Sequence, residues 1–255
     1  MGQLHRFFQE SLEEGALILG AEEGHHCAKV LRHRVGDAIE LFDGRGCRGE
    51  CVITHLQGSV VTVECKRVEE RTSVPHPLVL AQAIPKGKTM DWIVQRAVEL
   101  GVQQIIPLRT ERTASSGASG KVEKWRKVAL EACKQCCQDW LPVISEVTAF
   151  DDFVRNDEAL GRYAGVIHPR AQPLHDQWRS LGNPGDQVSL LIGPEGDLTP
   201  EELEVLDAYD VVPLHFGPLI LRCETAAVYG LSLLSHQLLS DGWTEDPCVP
   251  RNHPR

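Results

Sequence analysis

From Leu78 onward, short and almost wholly apolar runs alternate with stretches of helical periodicity, and this alternation constrains the fold more than any other feature of the 255-residue chain. LVLAQAI (78–84), VQQIIPL (102–108), GRYAGVIHP (161–169), QVSLLIGP (187–194) and VVPLHF (211–216) read as strands. A continuous apolar run suits a strand covered on both faces, and strands separated by helices give a mostly parallel sheet. Between them, KTMDWIVQRAVELG sets Ile93, Ala97 and Leu100 at helical spacing before a C-terminal Gly101, and residues 121–137 form the next helix. Thr199, Pro200 and Glu202 spell a capping box with proline at the first helical position. A last helix over residues 222–239 places Ala227, Leu231, Leu234 and Leu238 on one face. The fold class is α/β.

The first 70 residues have another texture. AIELFD (38–43), GECVITHL (49–56) and SVVTVECKRV (59–68) are rich in β-branched residues and separated by glycine turns, with one helix before them at 22–31. They predict a small antiparallel barrel or sheet. ERTSVPHP (70–77) reads as a linker. The expected organisation is a β domain over residues 1–72, an α/β domain over 73–240, and a loose tail over 241–255.

Charge narrows the function. The net charge of −10 argues against a non-specific nucleic-acid binder, but residues 74–142 carry 10 basic and 6 acidic side chains. A basic middle segment in an acidic chain can meet a polyanion over a limited patch, although charged stretches are more often solvated faces. No apolar run approaches the roughly 20 residues needed to span a bilayer. MGQLHRFFQE lacks the apolar core of a signal peptide. A cytoplasmic protein is expected, with no membrane and no metal. Nine scattered cysteines fit buried thiols, and Cys133, Cys136 and Cys137 share a helix face without the partner pair that zinc ligation uses.

Two motifs tempt and fail. Gly44, Gly46 and Gly49 in DGRGCRGE have the spacing of a dinucleotide fingerprint, but β-rich ECVITHL follows where a helix N-terminus is needed, so a glycine hairpin is expected. SSGASGK (115–121) has the wrong spacing for a phosphate loop and reads as a Ser/Gly loop flanked by Arg109, Arg112, Lys121 and Lys124.

The informative stretches are LIGPEGDLTPEEL (191–203) and FGPLILRCETAA (216–227). Each sets glycine at the end of a strand, and His168-Pro169 ends a third. Ligands of open α/β sheets bind beyond the carboxyl ends of the strands, where glycine lets backbone approach a flat heterocycle. Ordinary turn chemistry is the alternative. Arg222 and Glu224 open the last helix, either as an ion-paired cap or as a catalytic cation and carboxylate.

These two stretches resemble the C-terminal signatures of the RsmE family, the 16S rRNA uridine-N3 methyltransferases of the SPOUT superfamily. HRFF (5–8) and HHCAKVLRHRVGD (25–37) resemble that family's PUA-like RNA-binding domain. KGKTMDWIVQRAVELGVQQIIPLRTERT (86–113) and KWRKVALEACKQC (124–136) resemble its central block. The resemblance implies a SPOUT-type parallel sheet with a C-terminal deep trefoil knot at about 187–240, preceded by a small PUA-like β-barrel. It implies a homodimer, S-adenosylmethionine as cofactor, and 16S rRNA of the small ribosomal subunit as partner. By motif, Ile167, His168, Ile192, Gly193, Glu195, Gly196, Leu214, Phe216, Gly217, Ile220 and Leu221 would surround the cofactor. Arg222 and Glu224 would serve catalysis, as oxyanion stabiliser and general base. Arg6, Lys29, Arg32, Arg34, Arg109 and Arg112 would contact RNA. The chain departs from the family pattern at Gln138, where arginine is frequent, at Asp197, where glycine is usual, and at Phe216 and Leu219, commonly leucine and arginine. Two other readings stay open: a non-catalytic RNA-binding or ribosome-assembly protein on this scaffold, and a methyltransferase acting on a ribose 2′-hydroxyl.

Overall fold

A computed structural model describes residues 4–71, 77–113, 119–174 and 186–242. The expected linker centre, most of SSGASGK and most of the expected tail lie outside the described residues. The chain divides into two compact units, and the division is not contiguous in sequence. Cys133–Leu141 belongs with the N-terminal residues through Val74, whereas Pro75–Ala132 and Pro142–Thr244 form the second unit.

In the first unit, β1 (Arg6–Phe8) and β2 (Gly15–Ile18) precede a helical segment, α1 (Ala21–His25), which widens into a π-helical turn over His26–Val30. Leu31 N–H donates to the His26 carbonyl at 2.9 Å, the i to i+5 bond of that turn. Then come β3 (Ala38–Phe42), β4 (Cys47–Gln57) and β5 (Val60–Glu70). They make a five-stranded sheet in the order β1-β3-β4-β5-β2, antiparallel except that β1 runs parallel to β3. Alternate residues of these strands bury Phe7, Leu17, Ile39, Leu41, Ile53, Val61 and Val63 in one cluster. Gly44 and Gly46 form the expected hairpin, and Gly46 has a physical reason to be glycine. Its φ is +104°, and a Cβ there would lie 2.4 Å from the Trp140 ring.

Arg6 sits under this sheet and not on its surface. Its side chain is 1% exposed, 2.5 Å from the Glu40 carboxylate and ion-paired with Asp139, while its guanidinium covers the Phe42 ring at 4.4 Å. It also donates to the carbonyls of Cys133 and Gln138 at 3.4 and 3.3 Å. Arg71 holds the second Asp139 oxygen at 3.0 Å. The expectation that Arg6 contacts RNA is therefore corrected: its charge is buried and balanced by two carboxylates.

The second unit follows β6 (Leu78–Ala83), α2 (Thr89–Glu99), β7 (Gln104–Arg109), α3 (Val122–Cys136), β8 (Val143–Ile144), β9 (Thr148–Ala149), α4 (Phe150–Asn156), β10 (Gly161–Gly165), β11 (Gln172–Pro173), β12 (Val188–Ile192), α5 (Pro200–Ala208), β13 (Val212–His215) and α6 (Cys223–Gly242). The sheet order is β11-β13-β10-β12-β6-β7-β8, with β9 also on β7, and every pairing is parallel. All residues of β6 and β12 are buried, in keeping with their largely apolar runs, and Gln82 and Ser189 are the polar residues buried with them. Thr199 caps α5 in a full capping box with Glu202. β12 is inserted between β6 and β10, both laid down earlier in the chain, and β13 then lies on the far side of β10. All these carboxyl ends meet one edge of the sheet.

Candidate active site

Three loops gather at that edge, after β10, β12 and β13, and the pairing register fixes their adjacency. Gly165 lies opposite both Ile192 and Leu214, the residues at or next to the ends of β12 and β13. Ile192, Gly193 and Leu214 are buried, forming the floor. Phe216 is half-buried and stacked obliquely on Tyr229 of α6 at 5.5 Å. Its seat is cut by two glycines, since a Cβ at Gly165 or Gly230 would lie 2.6 or 2.9 Å from its ring. Above the floor, Glu195, Gly196 and Gly217 are exposed, and so are the apolar side chains of Ile167 (63%), Leu219 (76%) and Ile220 (86%). Leu221 is half-buried.

The turn after β12 is tied to each neighbouring loop. Glu195 accepts a hydrogen bond from Lys86 N–H, beyond the end of β6, at 2.8 Å. Asp197 accepts from Ile167 N–H, beyond β10, at 3.1 Å. Arg112, beyond β7, donates to the carbonyls of Gly196 and Leu198 at 2.6 and 3.2 Å. Glu202 accepts from Glu111 N–H at 2.9 Å. Arg112, expected on RNA, thus braces this turn. His168 Nδ1 accepts from Arg170 N–H at 3.1 Å and its Nε2 lies 3.8 Å from Asp207 of α5, so what it offers the loop cluster is backbone.

Arg222 and Glu224 stand where the last helix begins. The guanidinium is 86% exposed and 4.0 Å from the Glu224 carboxylate, which is 25% exposed. This is a loose pair, and a long exposed ion pair contributes little to stability. Between them Cys223, buried, donates through its thiol to Glu224 at 3.4 Å. Burial first, then the bond to Glu224 and the negative field of Glu195 and Glu224, push the Cys223 thiol up to about 12. Glu195, from the first loop, and Glu224, from the second, therefore act on one point. Motif spacing gave no sign of Cys223. At pH 8 only roughly one thiol in ten thousand is ionised at such a pKa. Cys223 is accordingly expected to resist iodoacetamide at pH 8 in native protein and to react readily after denaturation; rapid native labelling at this residue, read by peptide mass spectrometry, would contradict the burial and the acidic field.

Of the other residues expected on RNA, Lys29, Arg32 and Arg34 are exposed in the first unit, on the π-helical turn and just after it, and Arg109 is exposed in the second. Arg32 has a φ of +57°. Among the described residues, no helix is long and apolar enough to cross a membrane.

The arrangement suits a particular ligand chemistry. Exposed apolar side chains beside glycine-lined backbone fit a flat heterocycle, and the carboxylates of Glu195 and Glu224, in an acidic part of the chain, fit a cation. A sulfonium nucleoside has both features.

Comparison with known proteins points the same way. A family model described as an RNA methyltransferase domain matches residues 72–235, and one described as an RNA methyltransferase PUA domain matches residues 19–64. Ribosomal RNA small subunit methyltransferase E of Bacillus subtilis (strain 168) is 30% identical over 250 residues, covering 92% of this chain and 97% of that protein. The protein of the same name from Synechocystis is 30% identical over 233 residues, covering 91% and 76%. A Legionella pneumophila protein, solved with the cofactor S-adenosylmethionine bound, is 32% identical with a TM-score of 0.83 over 92% of this chain and 98% of its own. Ribosomal RNA small subunit methyltransferase E of Neisseria gonorrhoeae, also solved with S-adenosylmethionine, is 26% identical with a TM-score of 0.82 over the same shares.

Proposed function

This chain belongs to the RNA methyltransferase family whose members include the ribosomal RNA small subunit methyltransferases E, and on that premise we propose that it methylates N3 of a uridine in 16S rRNA, using S-adenosylmethionine. The observation that carries the reading is the gathering of the glycine loops after β10, β12 and β13 at one edge of a parallel sheet, with Arg222 and Glu224 opening the helix that follows the last of them.

S-adenosylmethionine, when bound, supplies a methyl group on a sulfonium sulfur. The chain's residues do the rest. The loops around Ile192, Gly193, Glu195, Gly196, Leu214, Phe216, Gly217, Ile220, Leu221 and the backbone of Ile167 and His168 hold it. Holding two substrates in line supplies much of the acceleration. Uracil N3 must lose its imide proton, and Glu224 accepts it. Arg222 then stabilises the negative charge spread over the uracil oxygens. Its exposure and loose pairing leave the guanidinium available to a nucleotide.

Lys29, Arg32 and Arg34 in the first unit, and Arg109 in the second, contact the RNA backbone. Changing Lys29, Arg32 and Arg34 together to alanine is expected to raise the KM for RNA about tenfold or more while leaving cofactor affinity unchanged. A weakened cofactor affinity in that variant would count against the assignment. The strand order, with β12 inserted between earlier strands, supports a trefoil-knotted C-terminal segment over about 187–240. Exposed Leu219, Ile220 and Tyr229 support a homodimer that covers them, and a ribosomal RNA substrate supports a cytoplasmic location.

Equilibrium binding tests the cofactor directly. Purified protein should bind S-adenosylmethionine in a calorimeter, and Gly193→Val should abolish that binding while the protein stays folded. Absence of binding by the wild-type protein would remove the enzyme reading and favour an RNA-binding scaffold.

A further inference from the structure

Asp197 is one of four non-glycine residues with a left-handed backbone among the described residues, at φ +59°. L residues other than glycine are strained there, and such strain persists where the surroundings over-determine it. The surroundings here are specific. One carboxylate oxygen of Asp197 accepts from Leu198 N–H at 2.9 Å, and the other accepts from Ile167 N–H at 3.1 Å. The backbone N–H of Asp197 closes a turn onto the Pro194 carbonyl at 3.0 Å. A Cβ at Gly193 would lie 3.3 Å from the same carboxylate, so the side chain is packed along the first glycine of the loop. Arg112 grips the carbonyls on either side of Asp197.

We propose that Asp197 is a positioning residue for the cofactor: its carboxylate ties the loop after β10 to the turn after β12, fixing Ile167 against residues 193–196. The proposal rests on the reading that these loops hold S-adenosylmethionine. A strut of this kind adds affinity by holding the loops in their binding shape beforehand. Both carboxylate oxygens of Asp197 are engaged by backbone N–H groups, of Leu198 and Ile167, so its loss acts on cofactor binding and not on the chemical step.

Two variants separate the tie from the backbone strain. Asp197→Gly relieves the left-handed strain and removes both acceptors, whereas Asp197→Asn retains a carbonyl oxygen for Ile167 N–H. In cofactor-free protein, amide exchange at residues 166–168 is expected to quicken about tenfold in Asp197→Gly and to stay near wild type in Asp197→Asn. The dissociation constant for S-adenosylmethionine is expected to rise about tenfold in Asp197→Gly and less than about threefold in Asp197→Asn. With saturating cofactor, kcat of Asp197→Gly stays within about twofold of wild type, and thermal stability does not fall, because glycine relieves the strain. Unchanged exchange in Asp197→Gly overturns the tie. Faster exchange with unchanged cofactor affinity overturns the positioning role, and equal damage in the two variants does so too. If the wild-type protein binds no S-adenosylmethionine, the enzyme reading fails and the cofactor role with it, while exchange still reports whether the two loops are tied.

Discussion

Replacing Arg6 by alanine is expected to destabilise the N-terminal unit by about 3–5 kcal/mol, the range for breaking a buried ion pair by removing one partner. That is a large share of the roughly 5–15 kcal/mol that holds a typical domain folded. The reason is what remains: Asp139, 2% exposed, would keep only Arg71, and Glu40 would lose the cation 2.5 Å away. Burial already pushes the Glu40 carboxyl above the usual carboxylate range, with Arg6 opposing that rise. Removing Arg6 raises it further. A carboxyl whose folded pKa exceeds its unfolded value stabilises the fold at low pH, and that contribution is lost as pH rises through the folded value. The deficit of Arg6→Ala is therefore smallest below about pH 4 and grows toward neutrality. Amide exchange in β3, β4 and β5 reads it within this unit alone. Protection within 1 kcal/mol of wild type at pH 7, by order of magnitude, would mean that Arg6 is not the anchor described.

Removing the Arg222 guanidinium or the Glu224 carboxylate is expected to have the largest effects on activity. Arg222→Ala should lower kcat by about 10²–10³, the usual loss when one donor to a developing oxyanion is deleted. Glu224→Gln keeps the shape and removes the base, for a loss of about 10²–10⁴. Because Arg222 is 86% exposed and 4.0 Å from Glu224, neither change should disturb folding by more than a surface pair does, a few tenths to about 1 kcal/mol. Wild-type kcat in either variant would remove that residue from the mechanism.

What the sequence revealed follows the strength of the physical signal. β6 and β12 were legible because a strand buried on both faces has no polar alternation to confuse it, and the capping box at Thr199 is a local chemical pattern. The hairpin at Gly44 and Gly46 was legible because a β pattern follows it. Short elements were not, among them β1, β2, β8, β9, β11 and α4, each too brief to establish a period. The predicted helix over 22–31 becomes π-helical at His26, a change that no residue pattern announces. The glycine loops read at strand ends gather at one edge of the sheet, whereas Arg6, read as an RNA contact, is buried. Its partner Asp139 lies 133 positions away, and a sequence displays a guanidinium without its neighbour. The bracing contacts of Arg112 were invisible for the same reason, its acceptors being carbonyls 84 and 86 residues distant. Asp197 is a departure from the family's usual glycine that the left-handed backbone explains: the turn demands that conformation, and the carboxylate uses it to reach a second loop.

The most direct test supplies labelled S-adenosylmethionine and purified protein to small ribosomal subunits that lack the modification, then digests the 16S rRNA and identifies the labelled nucleoside. The account predicts N3-methyluridine, formed at least about a hundredfold more slowly when Arg222→Ala or Glu224→Gln replaces the wild-type protein. Label in a ribose 2′-O-methyl nucleoside would contradict the assigned acceptor, and no label with either subunits or naked RNA would contradict the enzyme.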